Sequence, residues 1–425
     1  MPAKRLSLAL VGLNYWPEST GISPYLTSLA EGLAARGHDI QVLTARPHYP
    51  QWLVYDGYKS AGAETRADVA ITRLKHYIPR HPKNLRRLLS EVSFGLKLAR
   101  GRFEGVDAVV LLSPPLIASR IVLSLLAKRK IPTVLWVQDL YTLGLRETGQ
   151  GNRAVSYVMS KLEAKAFLQS TRLVVIHRSF AHYAENVVRV PEAKISVIRN
   201  WTHIPAFDGR RENARESLGW GSSEIIVLHA GSMGVKQGLM NVVRAARIAS
   251  AQALPLRFVL VGEGPSRDLL VEESAGLSNV DFLPALSEEA YVAALAAADV
   301  LLVNELPGVS SMAVPSKLTS YFSAGRPVLA AVAADGNTAA EVAAAGAGVR
   351  VDPADPASLV RAAMDLAAPD VGASYGRRGI EYVQRVLDEV GAIARFEQLL
   401  RGLVDDDRGQ GVPPPPGEPE AGIPG

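Results

Sequence analysis

Short apolar runs alternate with helix-period segments along nearly the whole chain, a pattern that argues for parallel strands linked by crossover helices. The runs form two series. The first lies at 6–12, 39–44, 69–74, 108–112, 133–137, 172–176 and 195–198; the second at 225–230, 256–261, 280–283, 299–303, 327–331 and 348–351. Between them stands a turn-rich connector, Arg199-Asn200-Trp201-Thr202-His203-Ile204-Pro205, followed by the polar RRENARESLGW. The expected fold class is α/β: two doubly wound, Rossmann-like domains, 1–204 and 205–375, facing across a cleft. A helical segment at 376–404 is expected to close the chain and pack back towards the N-terminal domain. In such sheets a ligand sits beyond the carboxyl ends of the strands.

A chain of 425 residues is long enough for two full cores, and 48% hydrophobic against 21% charged residues marks it as globular. It has no cysteine, which excludes disulfides, thiolate metal sites and cysteine nucleophiles. The start, MPAKRLSLALVGLNYWPE, is interrupted too soon by Asn14 and Glu18 for a signal peptide and reads as a first strand. No run approaches the ~18 apolar residues of a membrane span. The expectation is a cytoplasmic protein, soluble or peripheral at the inner face of the cell membrane. The net charge of +4 divides unevenly, because 405–425 carries one Arg and five acids and leaves +8 on the rest. That acidic, proline-rich tail is expected to be disordered, and its Asp405-Asp406-Asp407, though similar to a metal-holding Asp-x-Asp, is read as a solvated terminus beyond the last helix.

Four loops follow strand ends. Gly12–Pro24 carries Gly21 near a helix start, where a glycine lets a phosphate or sugar approach the backbone. Gln138-Asp139 ends a buried strand on an acid. Gly231-Ser232-Met233-Gly234-Val235-Lys236-Gln237-Gly238 is a glycine-rich turn with a lysine suited to phosphate oxygens. In VPSKLTSYFSAGRPV, 314–328, Pro315 offers a rigid approach, Ser316 an N-cap hydroxyl and Lys317 a charge in the first turn. Two strand–glycine/serine–lysine elements in the second domain suggest a diphosphate held from two sides. No G-x-G-x-x-G follows the first strand, and Gly262-Glu263-Gly264-Pro265 starts like that fingerprint without its third glycine. No Walker A motif, G-x-S-x-G or metal-ligand spacing of histidines is present.

In order and spacing these residues resemble the retaining family 4 glycosyltransferases of GT-B fold, over about residues 6–400. The features are Gly21, Gln138-Asp139, Asn200-Trp201, Gly231 to Gly238 with Lys236, Val261-Gly262-Glu263-Gly264-Pro265, and Pro315-Ser316-Lys317-Leu318 with Gly325, Pro327 and Val328. NYWPESTGISPY, ARPHYPQW and the SPP at 113–115 look most similar to the exopolysaccharide and O-antigen branch. The resemblance implies transfer of a sugar from a nucleotide diphosphate sugar to a lipid-linked or saccharide acceptor, with retention and with neither metal nor other cofactor. It places the acceptor in the first domain and the donor in the second. Carried over, Lys236 neutralises the diphosphate, the backbone at Ser316, Lys317 and Leu318 binds phosphate and ribose, and Gly21 lets its loop reach the phosphates. Gly231, Gly262 and Glu263 belong to the donor site, and Asp139 with Gln138 is the catalytic candidate. The chain departs from the family where Ser232 and Met233 replace an arginine-bearing turn, and where Met312 and Ser320 stand in place of two glutamates. Glu305 is the candidate substitute for the ribose contact.

Residues 73–102 hold nine Lys/Arg and one acid. Leu85, Leu88, Leu89, Val92, Leu96 and Ala99 recur there at helical spacing. Such a helix over 85–102 either lies on an anionic membrane or packs on the core with a solvated basic face. Nucleic acid is not an expected partner, since no supporting motif is present. Two alternatives remain at this level: a nucleotide-sugar epimerase on the same fold, and a degenerate, non-catalytic membrane-associated scaffold.

Overall fold

The computed structural model describes residues 4–407 apart from 20, 61, 81–84, 102, 144–152, 203, 206 and 309–315. Every apolar run becomes a strand, and the strands sort into two sheets. The first contains β1 (Ser7–Gly12), β2 (Asp39–Ala45), β3 (Gly62–Arg66), β4 (Val69–Leu74), β5 (Ala108–Ser113), β6 (Thr133–Val137), β7 (Arg172–Val175) and β8 (Ile195–Val197), in the order β3-β4-β2-β1-β5-β6-β7-β8. The second contains β9 (Ile225–Ala230), β10 (Leu256–Val261), β11 (Val280–Leu283), β12 (Val300–Asn304), β13 (Val328–Ala331) and β14 (Gly348–Val351), in the order β11-β10-β9-β12-β13-β14. All pairings are parallel except β3–β4. Central strands such as β5, β6 and β12 are buried at every residue, as a parallel sheet covered by helices on both faces requires.

Each sheet reverses its winding once. In the first the reversal falls between β1 and β5, in the second between β9 and β12. The loops leaving these strands therefore sit at topological switch points, where doubly wound sheets bind ligands.

The two sheets belong to separate compact units. One runs to Asn200 and resumes at Glu389; the other is Trp201–Asp388. The closing helical stretch is two helices, Pro369–Val386 and Glu389–Asp407, which part at Asp388. The earlier one stays with the second unit. Its Gly376 lies so close to the turn after the helix Lys317–Ser323 that an added Cβ would stand 2.0 Å from the Gly325 carbonyl. The later helix packs with the first unit, where Phe396 meets Trp136 edge-on at 4.7 Å. Glu397 there accepts from Arg36 (3.1 Å) and Arg401 (2.8 Å) and pairs with His38 (3.2 Å).

The acid triplet needs correcting. Asp405 and Asp406 are not beyond the last helix but in its final turn, and Asp406 pairs with Arg172 at 2.8 Å. An acid opposes the dipole at a helix C-terminus, and the arginine offsets that cost. The tail from 408 onward lies outside the described residues.

Candidate functional site

The second unit builds its switch-point loops on glycine. After β9 the chain turns at Gly231 (φ +145°), and after β10 at Gly262 (φ +128°). A Cβ on Gly262 would lie 2.1 Å from the Gly231 carbonyl oxygen, and one on Gly264 2.5 Å from the Met233 carbonyl carbon. Only glycines let the two turns stack backbone on backbone. Met233 closes the stack: its N–H donates to the Glu263 carbonyl (2.9 Å), its own carbonyl accepts from Ser266 (3.0 Å), and its side chain is fully buried. The turn that lacks an arginine thus has a core anchor instead.

Lys236 lies exposed on a single turn of 3-10 helix, Val235–Gln237. Asn304, 1% exposed at the end of β12, fixes that turn. Its amide donates to the Gln237 (2.8 Å) and Gly238 (3.0 Å) carbonyls and accepts from the Asn241 amide (2.9 Å). The Leu306 N–H adds a bond to the Lys236 carbonyl at 2.7 Å.

Lys317 opens the helix Lys317–Ser323 and sends its ammonium across to β9. Its Nζ stands 3.0 Å from where a Gly231 Cβ would be and 3.4 Å from His229 Nε2. Burial depresses the Lys317 ammonium; Glu305 opposes that and Lys236 adds to it, leaving it at about 7. The helix is stapled to the sheet by Tyr321, whose buried hydroxyl accepts from the Ala230 N–H at 2.9 Å. Glu305 accepts from the Thr338 hydroxyl at 2.6 Å.

Gly231, Gly262, Lys236, Lys317 and Glu305 therefore surround one locality. Other expected residues sit differently. Ser316 occupies the N-cap position, but its hydroxyl makes no capping bond; its carbonyl instead accepts from the Thr319 hydroxyl at 2.8 Å. This corrects the expected cap. Leu318 is buried in the core, leaving only its backbone for a ligand. Glu263 is exposed, 3.7 Å from Arg267. Ser320 is 3% exposed and hydrogen-bonds the Tyr291 phenol. Met312 and Pro315 lie outside the described residues.

In the first unit Gly21 (φ +69°) faces the Tyr49 ring, 3.3 Å from an added Cβ. Buried Glu18 ties this loop to the next strand's exit by accepting from His48 N–H (2.6 Å), Tyr49 N–H (2.8 Å) and the Asn14 amide (2.8 Å). Burial raises the Tyr49 phenol, with Arg87 lowering it and Asp139 and Glu18 raising it further, so Asp139 and Arg87 both act at that ring. Asp139 is exposed at the end of β6. Gln138 is buried and exchanges two amide bonds with Asn200, at 3.1 and 2.7 Å. Its amide is committed to holding the connector. His229, Asn304, Tyr321, Tyr49 and Glu18 were not singled out from sequence. A histidine two residues before a strand-ending glycine was the available signal for His229.

The helix Leu85–Ala99 exposes half of its predicted apolar stripe and leaves Leu88, Val92 and Ala99 half-buried. Leu85 (66%), Leu89 (49%) and Leu96 (47%) are exposed alongside Arg86, Arg87, Lys97 and Arg100, while Ser90, Glu91, Phe94, Gly95 and Leu98 are buried. The core-packing alternative for that stripe is corrected at these three leucines. Among the described residues, no helix is long and apolar enough to cross a membrane.

Comparison with known proteins covers both units. Residues 20–201 match the glycosyl transferase 4-like domain and 224–368 match glycosyl transferases group 1. WcaI of Escherichia coli (strain K12), named as a glycosyl transferase of colanic acid biosynthesis, is 31% identical over 95% of this chain and 100% of its own. Among solved structures, sucrose-phosphate synthase from Thermosynechococcus elongatus superposes with a TM-score of 0.76 at 19% identity, over 95% of this chain and 100% of that one. Anabaena HepE in complex with UDP-glucose gives 0.67 at 13% identity, over 93% and 100%.

Proposed function

The chain belongs to the family 4 glycosyltransferases of GT-B fold, in the exopolysaccharide and O-antigen branch, and from that premise we propose that it moves a sugar from a nucleoside-diphosphate sugar to a lipid-linked or saccharide acceptor, with retention and without a metal ion. One observation carries the reading: the Lys317 ammonium lies against the Gly231 turn that stacks on Gly262, at the switch point of the second sheet, close enough to Lys236 to feel its charge. Two ammonium groups beside bare backbone suit a diphosphate, whose growing negative charge as the sugar departs is what such a site must stabilise. Glycosyltransferase matches over both units favour this over the epimerase alternative.

In this reading the second unit takes the donor through Gly231, Gly262, Glu263, Lys236, Lys317 and the backbone at Ser316 and Leu318, with Glu305 beside them. The first unit takes the acceptor, with Gly21 opening its loop. Asp139 orients the acceptor hydroxyl, and Gln138 holds the strand end through Asn200. The exposed leucines and cations of 85–102 rest peripherally on an anionic membrane.

A panel of nucleotide sugars tested for binding and turnover checks the donor assignment. One donor should bind, and Lys236→Ala should weaken it at least about tenfold, as loss of a charged hydrogen bond implies. Equal binding by wild type and variant would refute the donor site. Leu85→Ser with Leu89→Ser should reduce sedimentation with phosphatidylglycerol vesicles; unchanged sedimentation would refute the membrane contact.

A further inference from the structure

We propose that His229 is the positioning residue for Lys317: its Nε2 accepts from the ammonium and holds it over the bare backbone of Gly231, where the donor diphosphate docks. This rests on the donor-site reading above and deepens it.

His229 is completely buried, and its Nδ1 lies 3.3 Å from the Leu302 carbonyl, a group that only accepts. The Ser232 carbonyl also acts on the ring; with the proton on Nδ1, towards Leu302, the Nε2 lone pair faces Lys317 Nζ at 3.4 Å. That ammonium lies against Gly231, 3.0 Å from where a Cβ would be, at a position whose φ of +145° favours glycine.

Burial first, then the Lys317 charge, push the imidazole well below 6.5, so the ring is neutral. A neutral acceptor orients an ammonium without cancelling its charge, which a carboxylate at the same place would do. The other charged groups acting on Lys317 are Glu305 and Lys236. With Lys317 drawn down to about 7 by burial, a bound diphosphate completes its protonation, and binding above neutral pH takes up a proton. The sign is fixed: affinity is full below about pH 7 and falls as pH rises above it. A nucleotide sugar suits the measurement, because it lacks the terminal phosphate proton that titrates near pH ~6 in a monoester.

The probe is whichever of UDP-, GDP-, ADP- and TDP-glucose the wild type binds, followed by calorimetry from pH 6.5 to 9 in buffers of different ionisation enthalpy. His229→Leu should weaken binding about tenfold. His229→Gln, which offers both a donor for Leu302 and an acceptor for Lys317, should stay within about threefold of wild type. The double variant with Lys317→Ala should be no weaker than Lys317→Ala alone, and proton uptake should disappear in both. Wild-type affinity in His229→Leu, additive losses in the double variant, or a glutamine variant as weak as the leucine one would each overturn the proposal. Melting curves of both His229 variants separate a misfolded leucine variant from a true loss, and the glutamine variant then decides. A wild type that binds none of the probes refutes the donor site itself. Normal wild-type binding, weakened by Lys236→Ala and untouched by His229→Leu, refutes only the role of His229.

Discussion

Replacing Asn304 by aspartate swaps one NH2 for an oxygen and should dismantle the Lys236 turn. The asparagine is 1% exposed and donates to two carbonyls, Gln237 at 2.8 Å and Gly238 at 3.0 Å. Its oxygen accepts from Asn241, a bond the aspartate keeps. Two lost bonds cost about 2 kcal/mol net, and a carboxylate facing two buried carbonyls raises the total at pH 7 to about 3–5 kcal/mol. The same repulsion and burial raise the carboxyl's folded pKa above its unfolded value of about 3.9. Stability relative to wild type is therefore best at acid pH, where the protonated carboxyl donates one bond, and falls as pH rises through the raised folded value. Thermal melts from pH 4 to 8 and nucleotide-sugar binding at pH 7 are the assays, with Asn304→Ala as a control that lacks the pH term. Donor affinity should drop at least tenfold, about 1.4 kcal/mol. Wild-type affinity, or a stability loss with the same pH profile as Asn304→Ala, would show that this amide does not hold the turn.

Three further outcomes are expected. Turnover should persist after dialysis against EDTA; a loss restored by Mg2+ or Mn2+ would contradict a diphosphate site neutralised by lysines. Tyr321→Phe leaves the buried Ala230 N–H unpaired and should destabilise the second unit by about 1–3 kcal/mol, read as a lower melting temperature; an unchanged one would mean the hydroxyl is not a staple. Glu397 is raised by burial, but bonds and charge from Arg401 and His38 outweigh that and hold it below 4.5. Glu397→Gln should lose stability at neutral pH, and the difference from wild type should vanish as pH falls below 4.5 through the folded value; a gap that persists at acid pH would exclude an electrostatic origin.

What sequence could say followed from how each element is buried. Parallel strands covered on both faces are continuous apolar runs, so their positions were legible. β3 was not: GAETR is largely exposed and joins β4 through a two-residue turn at Ala67-Asp68, both with positive φ. Nothing in its side chains signals a strand. The helix Leu85–Ala99 had legible periodicity but an illegible orientation. Its packed face uses Gly95, where an added Cβ would stand 2.9 Å from the Ala118 Cα, and close helix contact favoured small residues over the leucine stripe. His229 and Asn304 escaped notice because their partners lie 73, 88, 67 and 63 residues away, distances at which single-sequence patterns carry no information.

The departure at Ser320 acquires a physical meaning from the same packing. Its side chain is buried against the Tyr291 phenol, so a glutamate placed there would need a partner for its carboxylate or would take up a proton. Glu305 accepts from Thr338 on the helix Asn337–Ala345 and supports the charge of Lys317 while Lys236 works against it. Taken with the two lysines alone, Glu305 leaves these three groups at one net positive charge when both ammonium groups are protonated. A diphosphate then converts a repelling lysine pair into two bridging ones. Glu305 thereby has an electrostatic task beside Lys317 that is separate from any contact with ribose, and this accounts for an acid beside a site proposed to bind an anion.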